Sequence, residues 1–141
     1  MSKGKYVAYV SAYTSGNQSS CGIRIYDVDM NHGRFTEKDR VEITNSSYVT
    51  ISHNQKYLYS ITDFGVEAYQ VQKDGTLEVI NRASINGMRG CYLSTDYNDK
   101  FLFVAGYHDA KLTALRVNSD GSVTEDLAAL QRETSDRISA V

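Results

Sequence analysis

The chain of 141 residues has no proline and no tryptophan, and only two cysteines. Length alone suggests one domain, long enough to bury a core. Cys21 and Cys91 lie far apart, so they form neither a disulfide framework nor the clustered ligand set that tetrahedral zinc requires, and they read as reduced thiols in a cytoplasm. Neither sign of charge dominates: 15 Lys and Arg stand against 17 Asp and Glu, a net charge of −2. That balance excludes a general nucleic-acid binder, which needs a surplus of cations on one face. Long hydrophobic runs are missing too. The stretch Tyr6-Val7-Ala8-Tyr9-Val10-Ser11-Ala12-Tyr13 is too short and too rich in tyrosine for a signal peptide or a membrane helix, and it reads as a strand. Nothing calls for a metal or a cofactor. The triplet Asp63-Phe64-Gly65 spells the metal-binding sequence of kinases, but no glycine-rich loop or catalytic-loop signature accompanies it, which leaves a turn between strands.

What is present is an ordinary globular composition, 41% hydrophobic and 23% charged, and a repeat. Ser47-Tyr48-Val49-Thr50-Ile51-Ser52-His53-Asn54-Gln55-Lys56-Tyr57-Leu58-Tyr59 aligns with Cys91-Tyr92-Leu93-Ser94-Thr95-Asp96-Tyr97-Asn98-Asp99-Lys100-Phe101-Leu102-Phe103 at an offset of 44. Downstream, Lys73-Asp74-Gly75-Thr76-Leu77 returns as Ser119-Asp120-Gly121-Ser122-Val123. A shorter first copy sets Lys5-Tyr6-Val7 against the Lys-aromatic-Leu step and Asn31-His32-Gly33-Arg34-Phe35 against the Asp-Gly turn. Each full copy reads as four short strands. The Asp-Gly pairs supply the positive backbone dihedral of a tight hairpin, and the second strands, such as Leu58-Tyr59-Ser60-Ile61, are apolar on both faces. Four strands in about 44 residues is the arithmetic of a β-propeller blade. A two-sheet sandwich with similar hairpins is the alternative, and identities spread over the whole unit favour the propeller.

The expected fold is therefore all-β: a propeller of four-stranded antiparallel blades, about three blades of an incomplete ring. Residues 1–127 are assigned to the partial propeller, with blade 1 lacking its inner strand over 5–43, blade 2 over 44–84 and blade 3 over 85–127. Residues 128–141 are a C-terminal tail, in which Leu127, Leu130 and Ile138 suit a fraying helix or disorder better than a strand. A ring needs at least about four blades, roughly 160 residues. The chain therefore reads as the N-terminal part of a larger propeller, or as a protomer whose exposed blade faces self-associate.

Several segments carry a resemblance: Tyr9-Val10-Ser11-Ala12-Tyr13-Thr14, Gly22-Ile23-Arg24-Ile25-Tyr26-Asp27-Val28-Asp29, Lys56-Tyr57-Leu58-Tyr59-Ser60-Ile61, Tyr92-Leu93-Ser94-Thr95-Asp96 and Lys100-Phe101-Leu102-Phe103-Val104-Ala105-Gly106-Tyr107. In these the chain resembles the lactonase family of seven-bladed propellers, which includes the propeller-type 6-phosphogluconolactonases. It departs from the family in its turns, where His53-Asn54-Gln55 and Tyr97-Asn98-Asp99 replace the usual Pro-Asp-Gly. The resemblance implies hydrolysis of 6-phosphoglucono-δ-lactone to 6-phosphogluconate in the pentose phosphate pathway, with a small sugar lactone as partner, while the isolated, incomplete chain is expected to be weakly active or inactive; the thiols place it in the cytoplasm, and its charge and short apolar runs leave neither nucleic acid nor membrane as partner. It also places the family's catalytic histidine, arginine and glutamate on later blades, so no catalytic residue is carried over. A non-catalytic binding or interaction module is the competing reading, because fold does not fix function.

In an up-and-down blade, the loops entering the first strand and those joining the second to the third share one face. That face gathers Tyr13, Asn45, Arg89 and His108 as candidate substrate-binding residues. Arg89 is a potential anion clamp, with a salt bridge to Asp63 as the equally weighted alternative. His108 beside Asp109 is titratable near neutrality, although a turn histidine at the surface is the simpler reading.

Overall fold

The computed structural model describes residues 5–14 and 21–125, together with the strand at 129–131. Its strands form three antiparallel sheets in chain order. Sheet 1 contains β1 (Lys5–Ser11), β2 (Gly22–Asp29) and β3 (Arg34–Glu42). Sheet 2 contains β4 (Val49–Ile51), β5 (Tyr57–Thr62), β6 (Gly65–Val71) and β7 (Leu77–Ser84). Sheet 3 contains β8 (Tyr92–Thr95), β9 (Phe101–Ala105), β10 (Lys111–Val117), β11 (Val123–Thr124) and β12 (Ala129–Gln131). Consecutive strands pair throughout, so this is the up-and-down order expected of propeller blades.

The sheets stack face to face through two cores. Between sheets 1 and 2 lie Ile23, Ile25, Ile43, Leu58 and Tyr69, with Val7 and Tyr9 packed against them. Between sheets 2 and 3 lie Tyr59, Ile61, Val66, Leu93, Leu102 and Leu115, among others. Strand β5 therefore sends Leu58 to one core and Tyr59 and Ile61 to the other, which is why its sequence is apolar at every position but one hydroxyl pair. The hairpin glycines act as knobs in this stacking. Gly75 (φ 88°) and Gly121 (φ 85°) turn the β6–β7 and β10–β11 hairpins, and a Cβ built on either would collide with Val7 or with the Tyr57 ring of the preceding sheet.

That contact corrects the alignment of the first copy. The sequence pairs Tyr6 with Tyr57, but Val7 and Tyr9 meet Gly75 as Tyr57 and Tyr59 meet Gly121. The equivalent of Tyr57 is therefore Val7, one residue along. The run Tyr6 to Val10 is apolar in either phase, so composition does not set its register; the glycine knob does.

The tail also differs from its reading. Of the segment expected to fray as a helix, 129–131 forms β12, with Ala129, Leu130 and Gln131 paired to Thr113, Leu112 and Lys111 of β10. Strand β11 covers only Arg116 and Val117 of that edge, and β12 pairs with Lys111, Leu112 and Thr113 farther along it, so sheet 3 extends past residue 127. Leu127 and Ile138 lie outside the described residues.

Candidate functional site

Tyr13, Asn45 and Arg89 come from three loops at the same end of the sheets. Tyr13 follows β1, Asn45 lies between β3 and β4, and Arg89 lies between β7 and β8. They meet around Asp63, the first residue of the two-residue hairpin between β5 and β6. Asn45 is buried in a left-handed conformation (φ 50°). Its neighbours fix it there: Thr62 Oγ1 donates to Thr44 O at 2.9 Å, and the Ser46 and Ser60 hydroxyls are 2.6 Å apart in the core.

So placed, Asn45 works in both directions. Its Oδ1 accepts from the Thr14 N–H at 3.0 Å, and its Nδ2 donates to the two Asp63 carboxylate oxygens at 3.1 and 3.2 Å. Arg89 donates to Asp63 Oδ1 at 3.0 Å, and its guanidinium carbon stands 4.9 Å from the centre of the Tyr13 ring. The arginine is thus held between a carboxylate and a ring face, an arrangement that fixes its plane. Burial pushes the Asp63 carboxyl up, but hydrogen bonds from Asn45, Arg89 and Thr44 and the charge of Arg89 outweigh it and leave the group below the ordinary aspartate range. A carboxylate so stabilised is a weak base. It holds Arg89 in place and does not suit proton abstraction from water.

His108 is not part of this arrangement. It lies exposed on the β9–β10 loop with its ring edge-on to Tyr107, centroids 5.6 Å apart, while the Asp109 carboxylate accepts from the Met88 N–H at 2.9 Å. Thr14 joins the cluster although nothing in the sequence marks it; its role depends on where Asn45 falls in the fold. The ion pair of Arg89 with Asp63 was legible as an alternative, and both it and the ring contact are present. At the opposite end of the sheets lies a cavity of about 1240 Å³ between sheets 1 and 2, lined by Tyr6, Val7, His53 and Gln55 among others.

The chain matches the family described as Lactonase, 7-bladed beta-propeller, over residues 7–139. It belongs to that family. The 6-phosphogluconolactonase of Bacillus subtilis (strain 168) is 34% identical over 125 residues, which make up 84% of this chain and 35% of that protein. A 6-phosphogluconolactonase of Formosa agariphila is 28% identical over 82% of this chain and 35% of its own length. The periplasmic gluconolactonase of Pseudomonas aeruginosa superposes with a TM-score of 0.76 at 25% identity, covering 84% of this chain and 36% of that one. The chain thus spans about a third of the length of these lactonases, consistent with three sheets of a seven-bladed ring.

Proposed function

We propose that this chain is part of a sugar-lactone hydrolase of the 6-phosphogluconolactonase kind, and that Arg89, oriented by Asp63, Asn45 and Tyr13, contacts the anionic or carbonyl oxygens of the substrate. The observation that carries the reading is the convergence of these four residues from separate loops on one end of a lactonase-family propeller. In the reaction, water adds to the lactone carbonyl, the ring C–O bond breaks to a hydroxyl, and the new carboxylic acid releases a proton. A fixed guanidinium suits the oxygen that gains charge, or the substrate's own phosphate. His108 belongs at the rim of such a site. A cytoplasmic setting is part of the same reading, supported by the two free thiols.

The depressed Asp63 favours a second reading, in which the cluster binds a sugar acid without hydrolysing it. The two separate in a chimera of the Bacillus subtilis enzyme carrying residues 5–125 of this chain in the matching place. Base uptake at constant pH above the spontaneous rate with 6-phosphogluconolactone is expected. A folded chimera that binds 6-phosphogluconate but shows only the spontaneous rate would favour the binding module.

A further inference from the structure

Phe64 is the second residue of the two-residue hairpin between β5 and β6, one position after the Asp63 carboxylate that holds Arg89. A tight turn with a left-handed second residue selects Gly or Asn there, yet this position, with φ 64°, carries a phenylalanine. The surrounding backbone holds it in place: the Ile85 N–H donates to Phe64 O at 3.1 Å, and a Cβ on Gly65 would collide with the Ala83 carbonyl. Strain of this kind persists where neighbours fix it, and burial of the ring is the ordinary compensation. That compensation is small here, because Phe64 is 69% exposed.

The strained position lies where a ligand needs apolar surface. The bond from Ile85 ties the hairpin tip to the segment that leads into Arg89, and Met88, the residue before Arg89, is exposed as well. The charged centre alone offers an anion little. The Arg89 guanidinium is already paired with Asp63 at 3.0 Å, so the pair carries no net charge and a bare anion must compete with a carboxylate held in place. Small-molecule sites work by combining a few oriented polar groups with apolar walls. The Tyr13 ring presents its face to the guanidinium, which leaves Phe64 as the aromatic surface beside the ion pair that is open to a ligand.

We propose that Phe64 is a specificity-determining contact of this site: its ring packs against the C–H face of a sugar ring while Arg89 meets the ligand's charged group. The site then selects cyclic sugar phosphates and their lactones over open-chain acids and free anions. An aromatic ring is a large, rigid apolar surface, and a closed sugar ring offers it a flat face that an open chain does not. Hydrolysis opens the ring, so the same contact that holds the lactone lets the open-chain acid go. This role rests on the reading of Arg89 as a substrate contact and adds which side of the substrate the protein recognises.

The test uses the full chain and three probes: glucose 6-phosphate as the closed ring, 6-phosphogluconate as the open chain and inorganic phosphate as the bare anion. Binding is followed by titration and by transfer of nuclear saturation from the protein's aromatic protons to the ligand. Glucose 6-phosphate is expected to bind most tightly and to receive saturation at its ring C–H protons. Phe64→Asn is expected to weaken it roughly fivefold and to reduce that transfer, with phosphate binding unchanged, whereas Phe64→Tyr retains both. A urea melt of each variant separates lost contact from lost folding, since Phe64→Asn relieves the turn. Binding that Arg89→Ala abolishes but Phe64→Asn leaves untouched overturns the Phe64 contact and keeps the Arg89 site. Equal loss of glucose 6-phosphate and phosphate in Phe64→Asn also overturns it, by assigning the residue to the shape of the hairpin. Absence of binding by all three probes up to about 10 mM, or binding indifferent to Arg89→Ala, overturns the Arg89 site and the Phe64 contact with it.

Discussion

The Tyr59 hydroxyl donates to the carbonyl oxygen of Gly121 at 3.1 Å, joining sheet 2 to the hairpin of sheet 3, and Tyr9 makes the same bond to Gly75 at 2.7 Å one sheet earlier. In each case a glycine knob seats beneath the strand of the preceding sheet that carries the tyrosine, β1 or β5, and a phenol latches it. Burial, and then the nearby Asp74 charge, push the Tyr9 hydroxyl up to about 12, so this latch stays protonated at neutral pH.

Removing the latch and removing the knob have different costs. Tyr59→Phe loses one buried hydrogen bond and is expected to cost about 1 kcal/mol in urea unfolding. Gly121→Ala forces a Cβ into the Tyr57 ring at a left-handed φ and is expected to cost about 2–3 kcal/mol. An alanine variant no less stable than the phenylalanine variant would mean that the hairpin is not held by its glycine.

The turn contact between sheets 2 and 3 is electrostatic and titrates. Burial raises the Asp99 carboxyl, but the N–H groups of His53 and Asn54 and the side chains of His53 and Thr95 outweigh it, and the group lies below the ordinary value of 3.8. A carboxyl lowered in the folded state contributes stability above its unfolded value, and that contribution is lost as the pH falls through the folded value. Asp63 and Asp96 are lowered as well, so the acid limb of the stability curve is expected to fall below about pH 4. Asp99→Asn is expected to be less stable than the natural chain at pH 7, with the difference shrinking as the pH falls below about 4, followed by circular dichroism. A constant difference across that range would assign the effect of Asp99 to packing.

How much of this was readable in advance depended on whether the signal was periodic. The repeat, the Asp-Gly hairpins and the doubly buried β5 each recur at a fixed interval, and all are present in the sheets. The register of β1 was misread because Tyr6, Val7, Ala8, Tyr9 and Val10 are apolar in both phases, and only the distant Gly75 separates them. Strand β12 was missed because its pairing answers an unfilled edge on β10, a property of the sheet and not of its own residues. At the candidate site, the charge of Arg89 pointed to Asp63, whereas the place of Thr14 and the two-sided bonding of Asn45 follow from loops that only the fold brings together.

The hairpin at Asp63 carries strain that can be relieved. Phe64 is the second residue of a two-residue turn, adopts φ 64° and is 69% exposed, so the ring gains little burial in return for a conformation that Asn or Gly adopts more readily. Phe64→Asn is expected to raise stability by about 1 kcal/mol. Unchanged or lower stability would show that the Phe64 ring has a structural contact that outweighs its backbone strain.

The positioning role assigned to Asp63 makes a prediction about the kinetics of the chimera. If Asp63 serves to hold Arg89 in plane against Tyr13, its loss frees the guanidinium without removing the charge, and substrate meets a mobile donor. Asp63→Ala is expected to raise KM roughly tenfold while leaving kcat within about twofold, since the interaction is one of binding and not of bond breaking. Asn45→Ala, which removes two hydrogen bonds to Asp63 but leaves the ion pair, is expected to move KM the same way by a smaller factor. Arg89→Ala is expected to exceed both, and Arg89→Lys to restore little, because lysine cannot reproduce a plane held between a carboxylate and a ring. The opposite pattern, with kcat falling and KM unchanged on loss of Asp63, would place that carboxylate among the groups that act on the reacting water.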